Sequence, residues 1–265
     1  MANQVLLTQR RGPILELILN RPDRLNALNE ELLLELQSAL VAGKNDESVH
    51  IIVISGAGRT FCAGRDIKAM EIADPVEVHR EIGVLNDCIL LMKSIEKPIL
   101  ASVHGYAAGA GFSLALACDL IIASEDSQFM MSFANVGLAS DGGGTFFLPQ
   151  LVGLHLAKEL YLLAEELSAK QAYDLGIVNR MAPANELADE VNKIAQYLAK
   201  GPAKAFGMMK QLLDHSLDST LSEVLEKERL TQSMLSTTED YKEGVHSFLE
   251  KRPPSFQRER NWING

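Results

Sequence analysis

The sequence predicts an α/β fold, on three observations. Short apolar runs at 14–19 (ILELIL), 51–54 (IIVI), 97–103 (KPILASV) and 120–123 (LIIA) have the length and β-branched content of buried strands. Stretches of helical periodicity separate them. Glycine-rich turns stand where strands run into helices. Strands of this length alternating with helices give βαβ crossovers and a parallel sheet.

Taken in order, the first helix is capped by Asn29 and runs through EELLLELQSALVA, with Leu32, Leu33, Leu36 and Leu40 on one face. Gly43 is expected to close it in a left-handed conformation. After the strand at 97–103 comes the turn HGYAAGAG and a helix of small residues, FSLALAC, and the run LIIA returns as a strand. Beyond residue 150 the character changes. Ser168 and Gln171 have the spacing of a capping box, and Gly176 ends the short helix they open. Asn185 is expected to cap a helix over ELADEVNKIAQYLAK, stopped by Gly201, and Pro202 to sit in the first turn of the next. Two further helices are predicted around 219–235 and 239–250. This reading divides the 265 residues into an α/β core over 1–195 and a helical C-terminal region over 196–265.

Composition narrows the function. Lys and Arg number 25 against 35 Asp and Glu, a formal charge of −10, which opposes non-specific attraction to nucleic acid or anionic membrane. The three cysteines, Cys62, Cys88 and Cys118, lack CxxC spacing, so neither a disulfide framework nor a zinc site is expected. No basic segment followed by an apolar run opens the chain, and no apolar stretch reaches the roughly 18 residues of a membrane span. A cytoplasmic location and no metal are therefore expected.

The chemistry is expected at three turns: SGAGRTFCAGRDIKAM (55–70), HGYAAGAGFSLALACD (104–119) and FANVGLASDGGGTFFLP (133–149). Neither GxxxxGK[ST] nor GxGxxG is present, which argues against a nucleotide site. Where a strand enters a glycine turn before a helix, the first N–H groups lack intrahelical partners and lie at the positive end of the helix dipole. Two such turns facing each other make a pair of donors for a developing oxyanion. The same glycines serve equally well as close-packing points. By itself Asp141 reads as a helix N-cap before GGGTFFLP, Cys62 as a small buried hydrophobe, and His104 as a strand-end residue. His79 lies on a polar stretch, and Met130 and Met131 line a pocket or pack the core.

Five segments, in order along the chain, resemble the enoyl-CoA hydratase/isomerase (crotonase) superfamily: LNRPDRLNALN, FCAGRDIKAM, KPILASVHGYAAGAGFSLALACDL, VGLASDGGGTFFLPQLVG and EGVHSFLEKRPPSF. The resemblance implies a spiral of ββα units with a helical C-terminal region that builds trimers, often paired as hexamers. It implies an acyl-CoA thioester as substrate, with coenzyme A entering as part of the substrate and no separate cofactor. It assigns the two oxyanion donors to the backbone N–H groups of Arg65 and Ala110. It places Ala63, Asp66 and Ile67 against the adenine end of coenzyme A. Arg24, with Arg21, becomes a candidate phosphate contact against the alternative of a solvated basic loop, and Lys251 and Arg252 candidates for a neighbouring subunit's ligand.

The sequence departs from the hydratase pattern at both acids, with Ser113 and Phe133 where that pattern carries glutamates. Hydration needs one group to activate water and another to deliver the α-proton, and neither residue does that at neutral pH. Asp141 occupies a position that resembles the single acid of Δ3,Δ2-enoyl-CoA isomerases and of ring-opening isomerases of phenylacetate breakdown. A 1,3-proton shift needs only one base, and apolar Phe133, Phe146 and Phe147 nearby would raise its pKa. The expected function is enoyl-CoA isomerisation by Asp141. An enoyl-CoA hydratase with an atypical acid/base arrangement is the alternative on the same fold. A non-catalytic acyl-CoA or RNA-binding homologue is the alternative of another class, the latter opposed by the negative charge.

Overall fold

The structure is a computed structural model and describes residues 4–66 and 74–256. Its main sheet has six strands in the order β1 (Leu6–Arg11), β2 (Ile14–Leu19), β3 (Ile51–Gly56), β4 (Ile99–Val103), β6 (Leu120–Ser124) and β9 (Arg180–Ala182). Only β1 runs antiparallel to its neighbour, and every later pairing is parallel. A second, three-stranded sheet joins β5 (Tyr106–Ala108), β7 (Gln128–Met130) and β8 (Leu167–Ser168). This is the crotonase-type α/β fold that the sequence predicts.

Alternation along the strands sends side chains to two cores. Leu17, Leu19, Ile52, Ile54, Ala101 and Val103 face helices α1 (Glu30–Asn45) and α2 (Pro75–Ser94). Ile14, Ile51, Val53, Leu100 and Ile122 face the other way, against Leu187, Val191, Ala195 and Ala199 of α7 (Leu187–Ala199). The other helices are α3 (Ala110–Ala117), α4 (Gly144–Val152), α5 (Leu154–Leu163), α6 (Ala169–Asp174), α8 (Ala203–Ser216), α9 (Leu221–Leu235) and α10 (Glu239–Leu249).

Asn29 caps α1 as expected, its side chain accepting from the N–H of Leu32 at 3.1 Å. Ser168 and Gln171 form the capping box of α6, and Gly176 follows that helix with φ +76°. Four local expectations are corrected. The first helix does not close at Gly43 but continues to Asn45, because its last carbonyls find a donor elsewhere: Lys97 Nζ donates to Gly43, Lys44 and Asp46 at 2.6, 2.9 and 2.8 Å. Gly43 is glycine for packing, since a Cβ there would stand 2.6 Å from Leu15. Glu186, not Asn185, precedes α7, without a side-chain cap, and Pro202 stands at the N-cap of α8 rather than inside its first turn. Asp141 is not the cap of α4, which begins at Gly144 with left-handed Gly143 before it.

Helix α8 is fastened to the core by an ionic cluster. Lys210 Nζ lies 2.9 Å from Asp119, which also accepts the Ile99 N–H at 2.7 Å, while Lys93 bridges to Asp214 at 2.9 Å. Burial pushes the Asp119 carboxyl above its ordinary pKa, and Lys210 and Lys93 hold it back. Helices α9 and α10 instead present Leu221, Leu225, Leu230, Met234, Phe248 and Leu249 to solvent in the single chain.

Candidate active site

The first two glycine turns meet because the segments before them pair. Cys62 and Ala107 form a parallel bridge, with Cys62 N–H donating to Tyr106 at 3.0 Å and Ala108 N–H to Cys62 at 3.0 Å. Each segment then turns through a backbone of positive φ that favours glycine, Gly64 at φ +97° and Gly109 at φ +51°. Gly111 allows α3 to settle on this pair, since a Cβ there would stand 2.7 Å from both Cβ and Sγ of Cys62.

The positions of Arg65 and Ala110 follow from that pairing. The Gly64 carbonyl accepts from Leu28 N–H at 2.7 Å and Asp66 N–H donates to Leu28 at 3.0 Å, so the intervening Arg65 N–H faces away from Leu28. Ala110 is the first residue of α3, where an N–H has no intrahelical partner. A Cβ built on Gly64 would stand 3.5 Å from the Ala110 nitrogen. The residue before one predicted donor therefore touches the other.

Asp141 comes from the third turn, between a 3-10 turn over Ser132–Val136 and α4. Its Oδ1 is buried and has no partner among the described residues. Burial pushes its pKa up to about 6, while the positive charge of Arg65 acts in the opposite direction. Burial raises the pKa of Cys62 and Tyr161, and the charge of Asp141 acts in the same direction on both. Phe133 is buried and stacks on Tyr161 with ring centroids 6.3 Å apart. Phe147 closes against Gly143, whereas Phe146 turns outward and is 45% exposed, so it does not shield the site as expected.

The remaining candidates separate into two groups. Ala63 lines a 430 Å³ cavity with Leu25, Arg59, Thr60, Gly105 and Tyr106. Arg24 projects from an exposed 3-10 turn near that loop, 3.8 Å from Asp23. Asp66 does not present its side chain outward: Arg21 holds it at 2.8 Å and also donates to the Ala27 carbonyl, so Arg21 is engaged within its own loop. Ile67 lies outside the described residues. Arg252 is held by Glu243 at 2.6 Å and by Glu250, while Lys251 is exposed at φ +53°. His104 binds the Gly58 carbonyl at 3.0 Å, and His79 is exposed on α2. Cys62 is fully buried with its pKa pushed up to about 12 by desolvation, the state of an inert thiol. Among the described residues, no cluster of three His, Cys, Asp or Glu side chains suits a metal, and no helix is long and apolar enough to cross a membrane.

Residues 9–259 match the sequence profile of the family described as enoyl-CoA hydratase/isomerase. The chain belongs to this enoyl-CoA hydratase/isomerase family. It is 35% identical to 1,2-epoxyphenylacetyl-CoA isomerase of Escherichia coli K12, over 96% of this chain and 98% of that protein. Identity is also 35% to crotonyl-CoA hydratase of Syntrophomonas wolfei, over 97% and 99% of the two chains. A solved enoyl-CoA hydratase from Polaromonas sp. JS666 superposes with a TM-score of 0.91 at 35% identity, covering 95% of this chain and 99% of the other. Membership in the hydratase/isomerase family assigns an acyl-CoA enzyme, and relatives of both reaction types stand at equal distance.

Several groups around the site carry no local sequence signal. Asn26 is fully buried at φ +53°, its side chain donating to Ala57 and Thr60 and accepting from Arg21 N–H, which pins the RPDRLNALN loop beside the first glycine turn. Glu81, from α2, holds the Arg65 guanidinium at 2.8 Å. Tyr161 is brought to Ser140, the neighbour of Asp141, by folding alone.

Proposed function

We propose that this member of the family is an enoyl-CoA isomerase that uses Asp141 as its single acid/base. The observation that carries the reading is a desolvated carboxyl with an unpartnered oxygen, in a site where Ser113 and Phe133 replace both acids of the hydratase pattern. In this reading the N–H groups of Arg65 and Ala110 hold the thioester oxygen. Asp141 removes a proton from C2 of a 3-enoyl thioester, the negative charge spreads over a dienolate onto that oxygen, and the same carboxyl returns the proton at C4. A pKa near 6 suits the task, because the group is ionised enough to take the proton and acidic enough to return it. Each oxyanion donor is worth about 3–4 kcal/mol of barrier in a water-excluded site.

Coenzyme A is read as running past the cavity beside Ala63, with Arg24 toward its phosphates and the backbone at Asp66 and Ile67 toward its adenine. The exposed apolar faces of α9 and α10 are read as surfaces covered by further copies of the chain, which sedimentation equilibrium would test. A hydratase reading is supported by the relative named crotonyl-CoA hydratase, but it requires a second proton carrier in place of Ser113 or Phe133.

The deciding experiment is a paired spectrophotometric assay without coupling enzyme. Conjugation of 3-hexenoyl-CoA without loss of crotonyl-CoA is the expected result. Loss of crotonyl-CoA would replace the isomerase reading with the hydratase one.

A further inference from the structure

Three hydroxyls converge beside Asp141. A Cβ on Gly144 would overlap the Tyr161 hydroxyl, stand 2.6 Å from Ser113 Oγ and stand 3.1 Å from Ser140 Oγ. Only glycine at this position lets the three approach. Ser140 and Tyr161 bind each other at 3.0 Å, and Phe133 stacked on the Tyr161 ring fixes its direction. Ser113 is fully buried on α3, and its Oγ has no partner among the described residues. Buried hydroxyls in folded proteins are nearly always paired, so two orphans, Ser113 Oγ and Asp141 Oδ1, mark bonds that a ligand completes.

The donor count defines the ligand. Ser113 has its proton free, whereas Ser140 Oγ donates to the Asp141 carbonyl at 3.4 Å and accepts from Tyr161, whose oxygen keeps a lone pair free. One spare O–H donor with oxygen lone pairs beside it suits a neutral oxygen. The carboxylate of Asp141 alongside repels an anionic one.

We infer that Ser113, Ser140 and Tyr161 form a subsite for a neutral oxygen (hydroxyl, ether or ketone) carried by the acyl group, so that the preferred substrates are oxygenated acyl-CoA thioesters. The inference rests on the acyl-CoA reading of the pocket but not on the reaction that Asp141 performs there.

The test is calorimetric titration of the full-length protein with hexanoyl-CoA, its 4- and 5-hydroxy and 5-oxo congeners, and adipyl-CoA as the anionic comparator. At least one neutral oxygenated congener is expected to bind about tenfold more tightly than hexanoyl-CoA, the scale of one to two added hydrogen bonds. The ratio is expected to collapse toward one in both Tyr161→Phe and Ser113→Ala, with adipyl-CoA gaining nothing in the wild type. Ser113→Ala removes one atom from a helix and keeps the test valid if the tyrosine variant fails to fold. Equal affinity for every neutral ligand, or a preference that survives both substitutions, overturns the subsite while leaving the acyl-CoA reading intact. Failure of all five thioesters to bind overturns both.

Discussion

A Cβ on Gly64 would stand 2.9 Å from the carbonyl oxygen of Ala108, so the two glycine turns meet main chain to main chain. The contact brings the Arg65 segment against the N-terminus of α3, and it leaves no space for a side chain between them. With φ +97° at Gly64, steric and conformational demands coincide. Gly64→Ala is expected to lower stability by about 2–3 kcal/mol. Turnover of the remaining folded protein should also drop by at least about tenfold, since one lost oxyanion donor alone costs that much or more. Denaturant unfolding and activity per folded molecule would check it, and full activity in a destabilised protein would show that the contact is purely structural.

Asp141→Asn is predicted to leave the fold and CoA affinity in place while lowering isomerase turnover about 100-fold or more, the scale of a lost acid/base group. Steady-state kinetics on 3-hexenoyl-CoA would show this, and unchanged turnover would remove Asp141 from the mechanism.

The same substitution has a pH-dependent effect on stability whose sign follows from the raised pKa. The folded carboxyl titrates near 6, above its ordinary 3.8, so folding favours the protonated form. The penalty for ionising it in the fold is absent below pH 3.8, grows between 3.8 and about 6, and is complete above that. Asp141→Asn should therefore stabilise the protein by about 1–2 kcal/mol at pH 7 and by nothing at pH 3.5, values discounted for the partial exposure of the group. Unfolding curves of both proteins at the two pH values decide this.

Arg65→Ala retains the main-chain N–H but removes the positive charge that opposes desolvation of Asp141. The acid limb of the kcat/KM profile is expected to move to higher pH, with the sign set by loss of a cation that holds the carboxyl down. A limb that stays in place would mean that the Arg65–Glu81 pair at 2.8 Å neutralises the guanidinium as far as Asp141 is concerned.

Lys210→Met breaks the buried pair with Asp119 and leaves the carboxylate with the Ile99 N–H and the more distant Lys93, at 3.9 Å. A loss of about 2–4 kcal/mol is expected at neutral pH. Because burial already raises the pKa of Asp119, the loss should shrink as the pH falls and the group protonates. A pH-independent loss would assign the effect to packing of the lysine stem.

Much of this protein is legible in its sequence, and the reason is local. The strands at 14–19 and 120–123, the Asn29 cap and the Ser168–Gln171 box each depend on contacts within a few residues, and each forms where its pattern stands. Gly43 was legible only as a glycine. Whether it ends a helix or admits Leu15 depends on Lys97, some fifty residues away, which donates to the carbonyls that a terminating glycine would otherwise free. Asp141 shows the same division, since capping spacing is visible in the sequence while the left-handed Gly143 that starts α4 is not.

By itself, then, the sequence determined the alternation of strands and helices, the glycines that permit the turns, the absence of the two glutamates and the candidate acid. Only the tertiary structure decided that Gly64 packs beside the N-terminus of α3, that Arg21 is held by Asp66, that Glu81 holds Arg65, and that Tyr161 binds Ser140 beside Asp141. The physical reason is range. Caps, turns and periodicity are set by neighbours in the chain, whereas desolvation, ion pairing and the convergence of hydroxyls on one glycine are set by residues that only the packed core brings together.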